Sequence, residues 1–295
     1  MITFLQAVIT GIFLGGLYGL ISCGLSLIFG ITRIVNFAHG DFVTLGMYGT
    51  FIAFSTFGLH PLLSLPLIAI LMFLVGLLVY AVFIIRTLNQ ETARPDDTHI
   101  AQIVITLALG IVIQNALLLT FSPSQRSVTG VFGGSYSVGG LSINEAQLIA
   151  FFIAALCFAA LYLFLNYTSF GRATQASVDD RNMAIMVGIN TRRIYAFSFG
   201  LGILFASIAG GILVTYFPVT PTTGASFLAI AFVTVVLGGL GNVVGAFLGG
   251  LIIGVIQQLT ATYVAIDLQD VGLFVLFILI LLLRPNGLLG RRVAT

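Results

Sequence analysis

The chain has 295 residues, of which 59% are hydrophobic and only 7% charged, and its mean hydropathy is +1.17. A soluble domain carries about a quarter of its residues charged, so a water-borne fold is excluded and one membrane domain over residues 1–295 is predicted. The net charge of +2 rests on eleven arginines that share no face, so it leaves no nucleic-acid footprint, and the lack of any lysine excludes a phosphate-loop lysine or a lysine Schiff base.

A helix rises about 1.5 Å per residue, so about 20 residues cross a hydrocarbon core about 30 Å thick. The first apolar region, 5–57, is interrupted at 30–41. It has no basic segment before it and no small-residue cleavage site after it, and reads as a retained helix rather than a signal peptide. Uninterrupted runs follow at 62–85, 100–121, 147–165 and 194–216. The region 225–259 is broken at 238–245 by glycines and an amide, and a last run, 271–283, can extend into the polar loop before it. The runs are continuously apolar instead of alternating, which excludes a β-barrel. The expected fold is an all-α polytopic bundle of about eight transmembrane helices, eight or nine, with broken or re-entrant segments and a probable inverted repeat. Phe13-Leu14-Gly15-Gly16-Leu17 returns as Phe247-Leu248-Gly249-Gly250-Leu251, which either a repeat or close glycine packing between helices explains.

Arg86 and Arg94 lie in loop 86–99, Arg172, Arg181, Arg192 and Arg193 in loop 166–193, and Arg284, Arg291 and Arg292 in the tail. Arg33 falls on the same side by parity, leaving Arg126 alone on the other. The positive-inside rule makes the arginine-rich loops cytoplasmic, with the N-terminus outside and the C-terminus inside.

The chain has no HExxH, no GxSxG and no cluster of histidine, cysteine and carboxylate at ligand spacing. No catalytic residue, metal or cofactor is expected. Cys23 and Cys157 sit in apolar runs as small core residues. Any energised work must draw on a gradient or on a partner.

Loop 166–193 is suited to such a partner. Ser177 with Asp180 three residues on reads as a variant capping box, and Gly188 stands where a left-handed residue ends a helix. About ten residues run between them, with Met183, Ala184 and Val187 on one stripe and Asp179, Asp180 and Arg181 elsewhere. A helix this short is marginal in water. It either lies on the membrane surface or docks into a soluble partner's groove.

The stretches Gly24-Leu25-Ser26-Leu27-Ile28-Phe29-Gly30 and Ile34-Val35-Asn36-Phe37-Ala38-His39-Gly40-Asp41-Phe42 resemble the signature of permease subunits of branched-chain amino-acid ABC importers, in which glutamate usually stands at the place of Asp41. The loop Gly171-Arg172-Ala173 through Met186-Val187-Gly188-Ile189-Asn190 is similar to that family's cytoplasmic coupling region, with Ser177-Val178-Asp179-Asp180 replacing a more usual alanine-x-glutamate-aspartate. Leu237-Gly238-Gly239-Leu240-Gly241-Asn242 and Arg284-Pro285-Asn286-Gly287-Leu288-Leu289-Gly290 also match, so the resemblance runs along nearly the whole chain. It implies a second membrane permease subunit, two cytoplasmic ATP-binding subunits that hydrolyse ATP, and a periplasmic or extracellular solute-binding protein. It places the protein in a bacterial or archaeal cytoplasmic (inner) membrane. The substrates implied are branched-chain or similar hydrophobic amino acids. Relatives for urea, amides and other small solutes share the signature, and a gradient-driven facilitator or channel remains the alternative that would not need the capped helix.

Helices interrupted within a bilayer expose backbone only where they line a cavity. The translocation path is therefore expected at Asn36, His39, Gly40 and Asp41 and at Gly238, Gly239, Gly241, Asn242 and Gly245, and ATPase coupling at Asp179, Asp180, Arg181, Met183, Ala184, Val187 and Gly188. For Asp41 the other reading is an interfacial pair with Arg33. Gln114, Asn115, Gln257 and Gln258 read as helix–helix hydrogen-bonding amides.

Overall fold

The computed structural model describes residues 1–33, 35–85, 95–284 and 287–289, with backbone alone at 95–99, Val138 and Arg181. The predicted loop arginines Arg86 and Arg94 and the tail's Arg291 and Arg292 lie outside the described residues.

Helix α1, Ile2–Thr32, ends when Arg33 turns left-handed (φ 54°) and its N–H returns to the Phe29 carbonyl at 2.8 Å. After a short non-helical stretch, α2 runs His39–Phe57 and stops at left-handed Gly58. Pro61 opens α3, Pro61–Val79, which loosens into a π-helical turn over Tyr80–Ile84. Helix α4, Pro95–Phe121, leads to a hairpin of β1, Ser135–Val138, and β2, Leu141–Asn144. Asn144 caps α5, Glu145–Tyr167, accepting from the Ala146 N–H at 2.9 Å. Two short helices follow, α6 (Ser169–Asp179) and α7 (Arg181–Met186). Then come α8, Thr191–Leu213, α9, Thr223–Gly238, α10, Val243–Tyr263, and α11, Gln269–Leu283.

Among the described residues, seven helices are long and apolar enough to cross a membrane: α1, α3 with its π-helical turn, α4, α5, α8, α10, and α11 taken with the 3₁₀ turn Ile266–Leu268 before it. Helix α2, 19 residues with a polar start, and α9, 16 residues, stand apart as interrupted elements. This is the all-α polytopic bundle expected. The run read as 194–216 stops at Leu213, and residues 214–222 are irregular before α9 begins.

The order helix, break, buried helix, long helix occurs twice, as α1–α2–α3 and α8–α9–α10. The two copies run in opposite directions. Gln6 exchanges hydrogen bonds with Ser142 of the hairpin, so α1 starts at the hairpin face. Helix α8 ends at that face, where the Val128 N–H donates to Val214 and Arg126 pairs with Val219. The third helix of each copy packs antiparallel on the first helix of the other. Glycines set the closeness of both seams. A Cβ on Gly76 of α3 would lie 2.7 Å from the Gly200 Cα of α8, and one on Gly15 of α1 would lie 2.6 Å from the Gly250 oxygen of α10. The copies meet where a Cβ on Gly202 would lie 2.6 Å from the Gly24 oxygen.

The repeated Phe-Leu-Gly-Gly-Leu has a different origin. Its copies lie in α1 and α10, which are not equivalent helices, and they touch each other through Gly15 and Gly250. Close packing, not duplication, accounts for them. In lipid the hydrophobic drive between helices is weak, so small residues that let backbones approach carry the association.

Candidate functional site

The depth of the first break follows from side-chain contacts. Phe158, midway along α5, stacks on Phe247 at 4.1 Å, and a Cβ on Gly19 would lie 2.9 Å from that Phe247 ring. The level of Gly19 is therefore the middle of a spanning helix. Ile21 follows half a turn later, and its carbonyl accepts from His39 Nε2 at 2.9 Å. Helix α2 thus begins near the bilayer midplane, with residues 35–38 leading into it.

Asn36, His39, Gly40 and Asp41 are all buried at this point. The Asn36 side chain accepts from the Ala38 N–H at 3.1 Å and closes the turn into α2. Asn36 Nδ2 and His39 Nδ1 have no hydrogen-bond partner among the described residues. Asp41 does not pair with Arg33: its Oδ1 accepts from Gln114 Nε2 of α4 at 2.9 Å. Gln114 is thereby the helix–helix amide expected. Gln257 acts likewise, donating to Asp270 of α11 at 2.8 Å, whereas Asn115 bonds within its own helix to Ile111.

The second break ends beside the first. A Cβ on Gly224, at the start of α9, would lie 2.8 Å from both the Gly40 oxygen and Asp41 Oδ1. The two interrupted helices therefore start against each other, one from each copy of the repeat.

The glycine stretch 238–245 lies elsewhere, at the opposite end of α9. Gly238 and Gly245 pack backbone to backbone, and Gly241 (φ 82°) would bring a Cβ to 2.9 Å from the Gly30 Cα. Asn242 caps α10 by accepting from the Gly245 N–H at 2.9 Å and donates to the Leu289 carbonyl at 2.9 Å. Gly239 (φ 102°) permits the turn, and the Leu288 N–H reaches the Leu237 carbonyl at 2.8 Å. The structure does not bring this stretch to Asn36, His39, Gly40 and Asp41. It makes a close-packed knot joining α9, α10, the end of α1 and the tail.

One face of α9 is uncovered. Thr222, Ala225 and Ser226 are exposed, and Phe232 follows at helical spacing, 37% exposed. Phe217 and Pro218, on the irregular approach to this face, are exposed as well.

A family model described as the permease component of the branched-chain amino acid transport system matches residues 7–283. The chain belongs to this family. It is 32% identical over 296 residues to the high-affinity branched-chain amino acid transport system permease protein LivH of Salmonella typhimurium, covering 98% of this chain and 96% of that one. It is also 32% identical to the corresponding protein BraD of Pseudomonas aeruginosa over 298 residues, again 98% and 96% of the two chains. A shorter likeness, 31% over 135 residues, covers 43% of this chain and 40% of the ribose import permease protein RbsC of Bacillus subtilis. No solved structure matches it.

The permease's loop 166–193 folds differently from the single capped helix expected. Thr168 caps α6, accepting from the Gly171 N–H at 3.1 Å. Ser177 is no cap: it lies inside α6 and bonds to the Ala173 carbonyl at 2.8 Å. Phe170 packs its ring, tilted, against Phe197 of α8 at 4.6 Å and Phe164 of α5 at 5.4 Å, so α6 is pinned to the membrane bundle and starts earlier than the caps alone suggested. Asp180, extended at φ −151°, ends α6 and caps α7, accepting from Asn182 and Met183 N–H groups at 2.8 and 3.0 Å. Gly188 does turn left-handed, φ 85°, and the Ile189 N–H returns to the Ala184 carbonyl at 3.0 Å. The apolar stripe is split. Met183 and Val187 face out with Ile185 and Met186, while Ala184 is buried in the permease itself.

Sequence reading missed Gly224 and Gly202, gave no role to the approach 214–222, and had Gly24 only as the start of the signature stretch. A signal was present only at the approach, in Pro218, Pro221 and the threonines around them. Nothing local marks Gly24 or Gly202 among 34 glycines.

Proposed function

We propose that the chain is a permease subunit of an ABC importer that carries branched-chain or similar hydrophobic amino acids across a bacterial or archaeal cytoplasmic membrane. A second permease would stand against the open face of α9. Two ATP-binding subunits would dock beneath α7, and a solute-binding protein would deliver substrate at the hairpin face. The N-terminus is then outside and the C-terminus cytoplasmic.

The observation that carries this reading is the start of α9 inside the bundle, beside Gly40 and Asp41, with Thr222, Ala225 and Ser226 exposed there. Hydrocarbon leaves exposed polar side chains and the first N–H groups of a helix unsatisfied, at a cost of several kcal/mol each. That surface must meet water or another protein. The path accordingly runs past Thr222, Ala225 and Ser226. Asn36, His39, Gly40 and Asp41 form the wall behind it, and Gly238, Gly239, Gly241, Asn242 and Gly245 hold its inner end. Full-length likeness to LivH and BraD supports the substrate class. Coupling would use the outward Met183 and Val187, with Asp179, Asp180 and Arg181 at the rim and Ala184 and Gly188 seating the helix.

Ser226→Cys tests the path. Thiols react as thiolates, which form only in contact with water. A charged, water-soluble thiol reagent is expected to modify the cysteine and block uptake by the assembled importer. No modification would place this face in lipid and refute the path.

A further inference from the structure

A cavity of about 810 Å³ lies on the Arg33 side of the bundle, between the ends of α1 and α5, helix α6 and the knot that joins α9 to α10. Its size falls in the roughly 300–1,000 Å³ range of small-molecule sites. Three features of its wall suit an anion. The first is the start of α10, where Asn242, Val243 and Val244 all border the cavity. The first N–H groups of a helix have no partner within it, and together with the helix dipole they make a ready anion site. Helix α10 runs 21 residues, and its cap Asn242 accepts from the Gly245 N–H, not from Val243 or Val244.

The second feature is Arg33. A Cβ on Gly30 would lie 3.0 Å from the Gly241 Cα, so Arg33, one turn beyond Gly30, stands beside the start of α10. Its side chain is exposed, with no ion pair or hydrogen bond among the described residues. It holds φ 54°, a left-handed backbone that glycine or asparagine adopts at lower cost, and strain kept beneath a long cation points to use of that cation. The third feature is Thr174 on the α6 wall, 5% exposed, whose hydroxyl has no hydrogen-bond partner among the described residues. A hydroxyl buried in this way is costly until a ligand or water meets it. Asp179, more than a turn further along α6, already has an interaction partner within the protein and takes no part.

We propose that this cavity binds a phosphate group, held by the Arg33 guanidinium and the first N–H groups of α10 and met from α6 by the Thr174 hydroxyl. A guanidinium holds phosphate by paired charge-assisted hydrogen bonds. Two sources supply that chemistry: the headgroup of an anionic phospholipid and free inorganic phosphate. The cavity's rim favours the lipid, because Tyr162, Leu240 and Leu289 line it and are exposed, an apolar edge for acyl chains. Basic sites between helix ends at the membrane surface collect anionic headgroups for the same reason. The occupant joins α6 to α1 and α10, and so braces the segment leading into α7 against the membrane bundle.

The test needs no transport, binding protein or ATP, so it stands apart from the importer reading. The purified complex is placed in phosphatidylcholine nanodiscs, and amide hydrogen exchange is followed along α6, Ser169–Asp179. Phosphatidylglycerol added to the nanodisc is expected to slow α6 exchange roughly tenfold in the wild type. Inorganic phosphate alone is expected to have little effect; slowing by phosphate as large as by the lipid would make the free ion the occupant. Arg33→Asn, which suits the left-handed backbone, and Thr174→Val, which keeps the side chain's shape, are each expected to lose most of the slowing, while exchange in α8 stays as in the wild type and reports an intact fold. The proposal is overturned if neither addition slows α6 in the wild type, or if the slowing persists undiminished in Arg33→Asn.

Discussion

Replacing Gly224 by alanine tests the crossing of the two interrupted helices. The new Cβ would sit 2.8 Å from the Gly40 oxygen and 2.8 Å from Asp41 Oδ1, about 0.6 Å inside ordinary contact at 3.4 Å. Neither neighbour can yield freely, because Gly40 is backbone and the Asp41 oxygen is held at 2.9 Å by Gln114. Overpacking of this kind costs about 1–3 kcal/mol. Disturbing the Gln114 bond adds about 1 kcal/mol, and alanine's better helix propensity returns up to about 1 kcal/mol. The net expectation is a loss of roughly 1–3 kcal/mol. The midpoint of thermal unfolding of the purified complex reads it, with Gly133→Ala as control, since a Cβ at Gly133 meets nothing within 4 Å. Equal midpoints for the two variants would show that α2 and α9 do not meet as described.

At α7, Met183→Glu places a charge on an outward apolar side chain and is expected to abolish retention of the ATP-binding subunits without affecting membrane insertion; unchanged co-purification would remove α7 from the docking surface. Ala184→Asp, by contrast, acts through the permease's own fold, because Ala184 is buried. Asp180→Ala removes the α7 cap and is expected to cost about 1 kcal/mol of local stability, seen as faster amide exchange in α7; Ser177→Ala should leave α7 exchange as it was. For sidedness, cysteines introduced at Ser137 and at Val187 should be labelled from outside and from inside respectively, and labelling of position 187 from outside would reverse the assigned orientation.

The spans were legible because hydrocarbon demands continuous apolar runs, and an interruption such as Asn36 to Asp41 cannot hide within one. Gly188 was legible for a local reason, as a stop signal that needs positive φ. The cap was misplaced because Ser177, Asp180 and Thr168 all suit the role. What decides among them is the docking of Phe170 on Phe197, a contact between distant parts of the chain. The end of α8 was read three residues late because Val214 and Tyr216 continue its apolar run. Gly224 was not legible at all, since its role exists only in contact with Gly40. The glycine stretch at 238–245 was legible as a close backbone approach but its partners were not, because the protein's own Gly30 and tail are brought to it only by the fold.

The central claim is that this chain serves as the membrane path of an ATP-driven importer, and uptake by the reconstituted complex tests it most directly. Proteoliposomes containing the permease pair and the ATP-binding subunits, with ATP enclosed at the coupling side and the solute-binding protein supplied opposite, are expected to accumulate leucine against its gradient only when every component and hydrolysable ATP are present. Equilibration of leucine by the permease alone, unaffected by ATP, would contradict the account and make the chain a facilitator.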